Sequence, residues 1–193
     1  MPISDVDFVS PIDVLAAATA FFGGQIELDP ASSDNANRLV QAQKYFTPQH
    51  QGLKQLWKAK SVYLYPPRER LLGIEQPPDR LLWTKKKRFT KSAQRVWMEE
   101  MFRKYTLGEF EEGLLFLTST DVALLVAQKV GLDLPLCILK EHPKLRQDDE
   151  EFTKVSTNKI YGFLYYFPSI EHTEKRILEF SSLFSTLGRV YIQ

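Results

Sequence analysis

The segment with the clearest capacity for chemistry is Val62-Tyr63-Leu64-Tyr65-Pro66-Pro67-Arg68. Val, Tyr and Leu favour a pleated surface, and two prolines stop a strand ladder and fix the backbone beyond it. The segment therefore predicts a short buried strand running into a rigid corner. No neighbouring amide donor competes for the Pro66 carbonyl, because Pro67 has no N–H, so that oxygen is available to accept a hydrogen bond from a ligand.

Asp29-Pro30-Ala31-Ser32 is a second candidate. It ends a predicted strand and leads into a predicted helix. In an open α/β sheet the ligand crevice lies outside the carboxyl ends of the strands. A carboxylate there can hold an amine or a ribose hydroxyl, and the helix start adds backbone amides. Read without context, Asp29 equally caps a turn.

A third candidate is the basic run Lys85-Lys86-Lys87-Arg88, flanked by Trp83 and Phe89 and preceded by Arg80. Cations interleaved with aromatics suit phosphate contact combined with base stacking. A solvated charge run is the competing reading. His142 and the acidic run 148–151 have no second His or Cys at ligand spacing, so no metal is expected. Cys137 lies in an apolar run and reads as a buried structural thiol. Ser119-Thr120-Asp121 reads as a helix cap.

These residues need elements to position them. Ser10, Pro11 and Asp13 read as N-cap, first helical position and reciprocal cap. Ile12, Leu15, Ala16, Thr19 and Phe22 then share one helical face, and Gly23 closes the helix. A strand is predicted at 25–29, then a helix capped by Ser33 or Asp34 as far as about Ala42, then the strand 61–65. A helix capped by Thr90 carries Ala93, Val96, Trp97, Phe102 and Tyr105. Beyond it come the strand 113–118, the helix 121–130, the strand 136–139, the aromatic strand 159–167, a last helix with Ile177, Phe180, Phe184 and Leu187 inside, and the strand 189–192. Two long loops interrupt the series, near 66–91 and 141–158.

Alternating strands and helices predict an α/β fold, a mostly parallel sheet flanked by helices. The strand 159–167 follows 136–139 with no helix between, so an antiparallel edge is expected. With 193 residues, 44% of them hydrophobic and 25% charged, the chain suits one domain spanning 1–193. A net charge of +1 provides no global field for nucleic acid, so DNA contact must use a local patch. One cysteine cannot form an internal disulfide, which fits a reducing cytoplasm. No apolar run reaches the ~20 residues that span a bilayer, so no membrane partner is expected, and the N-terminus lacks a basic leader region. Oligomeric state has no signature in the sequence.

Taken in order, Phe8-Val9-Ser10-Pro11, Leu28-Asp29-Pro30-Ala31-Ser32, Gln51-Gly52-Leu53, Trp57 and Tyr65-Pro66-Pro67-Arg68 resemble the phage and prophage DNA adenine methyltransferase (Dam-type) family. Residues 28–32 are the most specific match, and the likeness covers nearly the whole chain apart from 69–91 and 141–158. It implies a Rossmann-like methyltransferase domain that uses S-adenosylmethionine. Phe8, Ser10, Pro11, Asp29, Pro30, Ala31, Ser32 and Gln51 would then form the cofactor pocket.

Three positions depart from the family pattern. Gln51 stands where the family has Asp, which weakens acceptance from the cofactor's adenine amine. Tyr65 replaces the Asn whose oxygen, with the first proline carbonyl, accepts the protons of the target amine. Arg68 replaces the aromatic that stacks on the flipped base, and it adds a cation near a cationic cofactor. The resemblance with these changes implies a homologue that is inactive or weakly active, with Tyr65 a core aromatic filling the vacated space. The alternatives are an active phage or prophage adenine N-methyltransferase and a nucleic-acid or protein interaction module on the same scaffold. DNA contact would run through Arg80, Trp83, Lys85, Lys86, Lys87, Arg88 and Phe89.

Overall fold

The computed structural model of the chain describes residues 8–68, 83–84, 87–88, 92–129, 134–169, 171 and 173–192. The elements in chain order are β1 (Phe8–Val9), α1 (Ile12–Phe21), β2 (Leu28–Asp29), α2 (Asp34–Val40), β3 (Lys44–Tyr45), β4 (Ala59–Leu64), β5 (Trp83–Thr84) and β6 (Lys87–Arg88). They continue with α3 (Ala93–Thr106), β7 (Phe110–Leu117), α4 (Thr120–Lys129), β8 (Leu136–Leu139), β9 (Arg146–Gln147), β10 (Phe163–Phe167), α5 (Thr173–Phe184) and β11 (Gly188–Tyr191). Two 3-10 turns, Pro48–His50 and Gly52–Lys54, join β3 to β4.

Seven strands form one mixed sheet in the order β11-β8-β10-β7-β4-β2-β3. The neighbours β3, β2, β4 and β7 are mutually parallel. β10 runs antiparallel to both β7 and β8, and β11 antiparallel to β8. The expected antiparallel strand thus sits inside the sheet, between β7 and β8, and a second one forms the edge.

Alternation along the strands divides the core in two. Val62, Leu64, Leu115, Leu117, Phe163, Tyr165 and Phe167 face α3 and α4, packing on Trp97, Met98, Met101, Val122 and Val126. Tyr63, Tyr65, Leu114, Phe116, Leu164 and Tyr166 face α1 and α5, packing on Val14, Ala18, Phe21, Phe180 and Phe184. Each fully buried large side chain contributes roughly 1.5–3 kcal/mol, so both layers are needed to hold the sheet. Cys137 belongs to the second layer, and burial pushes its thiol up to about 12.

Local capping departs from expectation at two helix starts, and the buried stripe of α1 departs as well. Pro11, not Ser10, is the N-cap of α1, and no side chain caps it. The buried stripe of α1 is Val14, Leu15, Ala18 and Phe21, while Ile12 is 52% exposed. The helix is apolar almost all round, so its periodicity did not fix which stripe faces inward. Ser92, not Thr90, caps α3, its hydroxyl accepting from the Arg95 N–H. At the other end of α1 the chain closes on Gly23 and Gly24, both at positive φ, where glycine has no Cβ penalty.

Candidate functional site

The parallel strands β2, β3 and β4 deliver their carboxyl ends to one side of the sheet. From β2 the chain crosses α2 to β3 on one flank, then returns to β4 on the opposite flank of β2. The winding direction therefore reverses between β2 and β4, and the crevice at such a reversal is where open α/β sheets take ligands. A cavity of about 140 Å³ lies there. Its walls are Phe8, Val9 and Ser10 from β1 and the turn after it, Asp29, Ala31, Ser32 and Ser33 from the end of β2, Ala36 and Val40 from α2, Pro48, Tyr65, and Asp148.

Asp29 is 4% exposed, the deepest carboxylate in this wall. Its Oδ1 accepts the Ala31 N–H at 3.1 Å. Burial pushes the carboxyl up to about 6, against the opposing pull of the Ala31 amide and the Ser32 hydroxyl. Beside it the Tyr63 hydroxyl donates to Ser10 Oγ at 2.8 Å, a bond buried at both ends. Burial also holds the Tyr63 phenol far above its ordinary range, so Tyr63 is a permanent donor. Ser10, expected as a helix cap, instead anchors β4 to the turn after β1.

Ser33 caps α2, its Oγ accepting the Ala36 N–H at 2.8 Å. The same hydroxyl donates to Asp148 Oδ2 at 2.6 Å. The other Asp148 oxygen, Oδ1, is buried with no hydrogen-bond partner among the described residues.

Asp148 arrives on a segment that folds over the cavity. β9 pairs antiparallel with β1, with Phe8 opposite Gln147 and Val9 opposite Arg146. Arg38 of α2 donates to the Glu150 carbonyl at 3.0 Å, and its guanidinium lies 5.7 Å from the Phe152 ring centroid. Phe152 is buried at φ +52°, a left-handed conformation uncommon for a bulky residue. Its N–H donates to Asp149 Oδ1 at 2.7 Å and its carbonyl accepts from Arg146 at 3.0 Å. Several independent contacts thus hold the segment in one conformation.

The Tyr65-Pro66-Pro67-Arg68 corner bounds the opposite side. Tyr65 is 7% exposed, lines the cavity and packs on Phe116 with ring centroids 5.3 Å apart. Pro66 is buried, while Pro67 and Arg68 are half-buried. The Arg68 guanidinium lies 5.3 Å from the Phe8 ring centroid, within cation–π reach.

Of the expected cofactor residues, Phe8, Ser10, Asp29, Ala31 and Ser32 share the cavity wall. Pro11, Pro30 and Gln51 stand outside it. Pro11 is buried and its carbonyl accepts the Leu15 N–H at 3.0 Å. The Pro30 carbonyl packs against Gly52, where a Cβ would overlap it. Gln51 is exposed at φ +54° between the two 3-10 turns.

Of the basic loop, Trp83–Thr84 pairs antiparallel with Lys87–Arg88, Trp83 opposite Arg88. Arg80, Lys85, Lys86 and Phe89 lie outside the described residues. No group of three or more His, Cys, Asp or Glu side chains among the described residues is placed to hold a metal ion. Nor is any described helix long and apolar enough to cross a membrane.

Sequence reasoning passed over Tyr63, Ser33 and Asp148 as site residues. Ser33 carried a cap signal and Tyr63 a strand signal. Asp148 carried none, since it lies 115 residues from its partner Ser33. Neither the protein-family models nor the curated proteins compared with this chain give a match.

Proposed function

We propose that the chain is a homologue of the Dam-type DNA adenine methyltransferases, a Rossmann-like domain whose catalytic corner has degenerated. Its residual affinity for S-adenosylmethionine is weak and its methyl transfer is absent or nearly so. One observation carries the reading. The two segments assigned by resemblance to the cofactor, around Phe8 and around Asp29, line a single cavity with Tyr65 at the winding reversal of the sheet. Ligand pockets for drug-sized molecules run from roughly 300 to 1,000 Å³, and this one holds about 140 Å³. Room for a whole nucleoside cofactor is therefore lacking unless the walls move.

The chemistry at the corner points the same way. Freeing the lone pair of an exocyclic amine calls for acceptors on both of its protons. Pro66 keeps its carbonyl, but the neighbouring side chain is a buried phenol packed on Phe116 rather than an amide reaching the substrate. Arg68 is engaged with Phe8 rather than presenting an aromatic face.

Calorimetry with S-adenosylmethionine and a tritiated-methyl assay on mixed-sequence duplex DNA test the proposal together. The expected result is a Kd weaker than about 10 μM, or roughly 7 kcal/mol, and no turnover above background. Tighter binding or clear turnover sinks it in favour of a working adenine methyltransferase. Restoring the corner with Tyr65→Asn and Arg68→Tyr should strengthen cofactor binding by enlarging the cavity.

A further inference from the structure

The cavity wall has a definite charge character. Two carboxylates, Asp29 and Asp148, reach it from different parts of the chain, and among the described residues no Lys, Arg or His side chain lines it. Asp29 is almost wholly buried at the end of β2. Asp148 is held by Ser33 through one oxygen, while its other oxygen is buried and accepts no hydrogen bond among the described residues. A buried carboxylate oxygen without a donor is an unfavourable arrangement, and a donor brought by a ligand relieves it. The volume of about 140 Å³ limits that ligand to a small molecule.

We infer that this cavity is a binding site for a small organic ammonium compound, held between Asp29 and Asp148, with the 141–158 segment supplying the second carboxylate. An ammonium group carries three donors and no acceptor, which matches a wall whose open valence is an acceptor. An anion would meet two carboxylates with no cation among the described residues lining the wall beside them, and is disfavoured. The inference shares with the functional proposal only the choice of cavity, and it stands whichever cofactor the fold once used.

The test is a charge series at nearly constant size. Ethanolamine, ethylene glycol and glycolate are titrated separately into the full chain, and the backbone amide resonances of Ala31, Ser33 and Asp148 are followed by NMR. Ethanolamine should give saturable shifts in the low-millimolar range, with ethylene glycol and glycolate at least tenfold weaker. Asp148→Asn keeps an oxygen acceptor for Ser33, so the fold is retained, and it should weaken ethanolamine at least tenfold. Asp29→Asn should do the same.

Equal response to the three compounds, no saturable response to ethanolamine, or unchanged affinity in Asp148→Asn overturns the inference. The S-adenosylmethionine titration separates the two proposals. Tight cofactor binding removes the functional proposal and leaves this one standing, provided ethanolamine remains selective. Failure of the ethanolamine series removes this one and leaves the other untouched.

Discussion

Replacing Asp29 by Asn should change the pH dependence of stability more than stability itself. In the folded chain the Asp29 carboxyl is raised from 3.8 to about 6, mainly by burial. A raised carboxyl means the folded state holds its proton longer than the unfolded state does. The contribution of the protonated group is therefore fully present below about 3.8 and is lost as pH rises through about 6. The whole interval corresponds to about 3 kcal/mol at ~1.4 kcal/mol per pH unit. Roughly half of that has accumulated by pH ~5, and nearly all by pH ~7.

Asn keeps the acceptor for the Ala31 N–H and cannot ionise. It also buries an amide that needs its own partners, a fixed penalty of about 1–3 kcal/mol that does not vary with pH. The informative quantity is thus the difference between the two urea-unfolding free energies, measured at pH 4, 5, 6 and 8. Other titrating groups contribute equally to both proteins and cancel. Relative to the wild type, Asp29→Asn should gain about 2.4 kcal/mol between pH 4 and pH 8, the remainder of the full interval lying below pH 4, with most of the change below pH ~6.5. A difference that is flat across this range, or that moves in the opposite direction, would refute the assignment of Asp29 as a desolvated carboxylate.

Other perturbations have equally direct readouts. Lys104 is 3% exposed, donates to the Gln55 carbonyl at 2.7 Å and to Glu109 at 2.9 Å; Lys104→Met leaves both acceptors without their cation and should cost about 3–5 kcal/mol in chemical denaturation. Tyr63→Phe removes the buried donor to Ser10 and should cost about 1–3 kcal/mol, an unchanged midpoint arguing against the anchor. Neutralising Lys85, Lys86, Lys87 and Arg88 together should weaken DNA binding and reduce the log–log salt slope by about 0.9 for each phosphate that no longer meets a cation. Equal binding with the same slope would mark the run as a solvated loop.

The parts of the fold that could be read from sequence are those fixed by local rules. The strand Leu136–Leu139 lies where its apolar run predicts, and α2 begins at its Ser33 cap. Gly23 closes α1 at positive φ, where a glycine is expected to end the helix. What could not be read depends on distant partners. The burial stripe of α1 is chosen by contact with α5 and the sheet, since its own sequence is apolar on nearly every side. β9 lies inside a polar stretch and is held by backbone pairing with β1 and with the returning segment at Lys154 and Val155. Leu145 and Phe152, the two apolar residues that seat it, are separated by charged residues and show no period. The site divides in the same way. The Asp29 corner and the Pro66-Pro67 corner are marked by short motifs, whereas Asp148 enters the wall through tertiary structure alone.

That division explains why the cavity is small. A winding reversal in a parallel sheet opens a crevice by topology, before any side chain is chosen. Three features then narrow it. Tyr65 occupies the space beside Phe116 with a full phenol ring. Arg68 stacks against Phe8 at the outer end of the corner. The 141–158 segment lies across α2 and β1, tied by the Ser33–Asp148 bond, the Arg38–Glu150 bond and the β1–β9 pairing. The first two are single side chains, and substitution can reverse them. The third is a folded segment with its own buried anchors, and it brings a carboxylate with it. Shrinkage of a disused pocket calls for apolar filling, because an unpartnered buried carboxylate oxygen destabilises the chain that carries it. A segment that closes the crevice and leaves such an oxygen in its wall is better explained by a ligand than by decay.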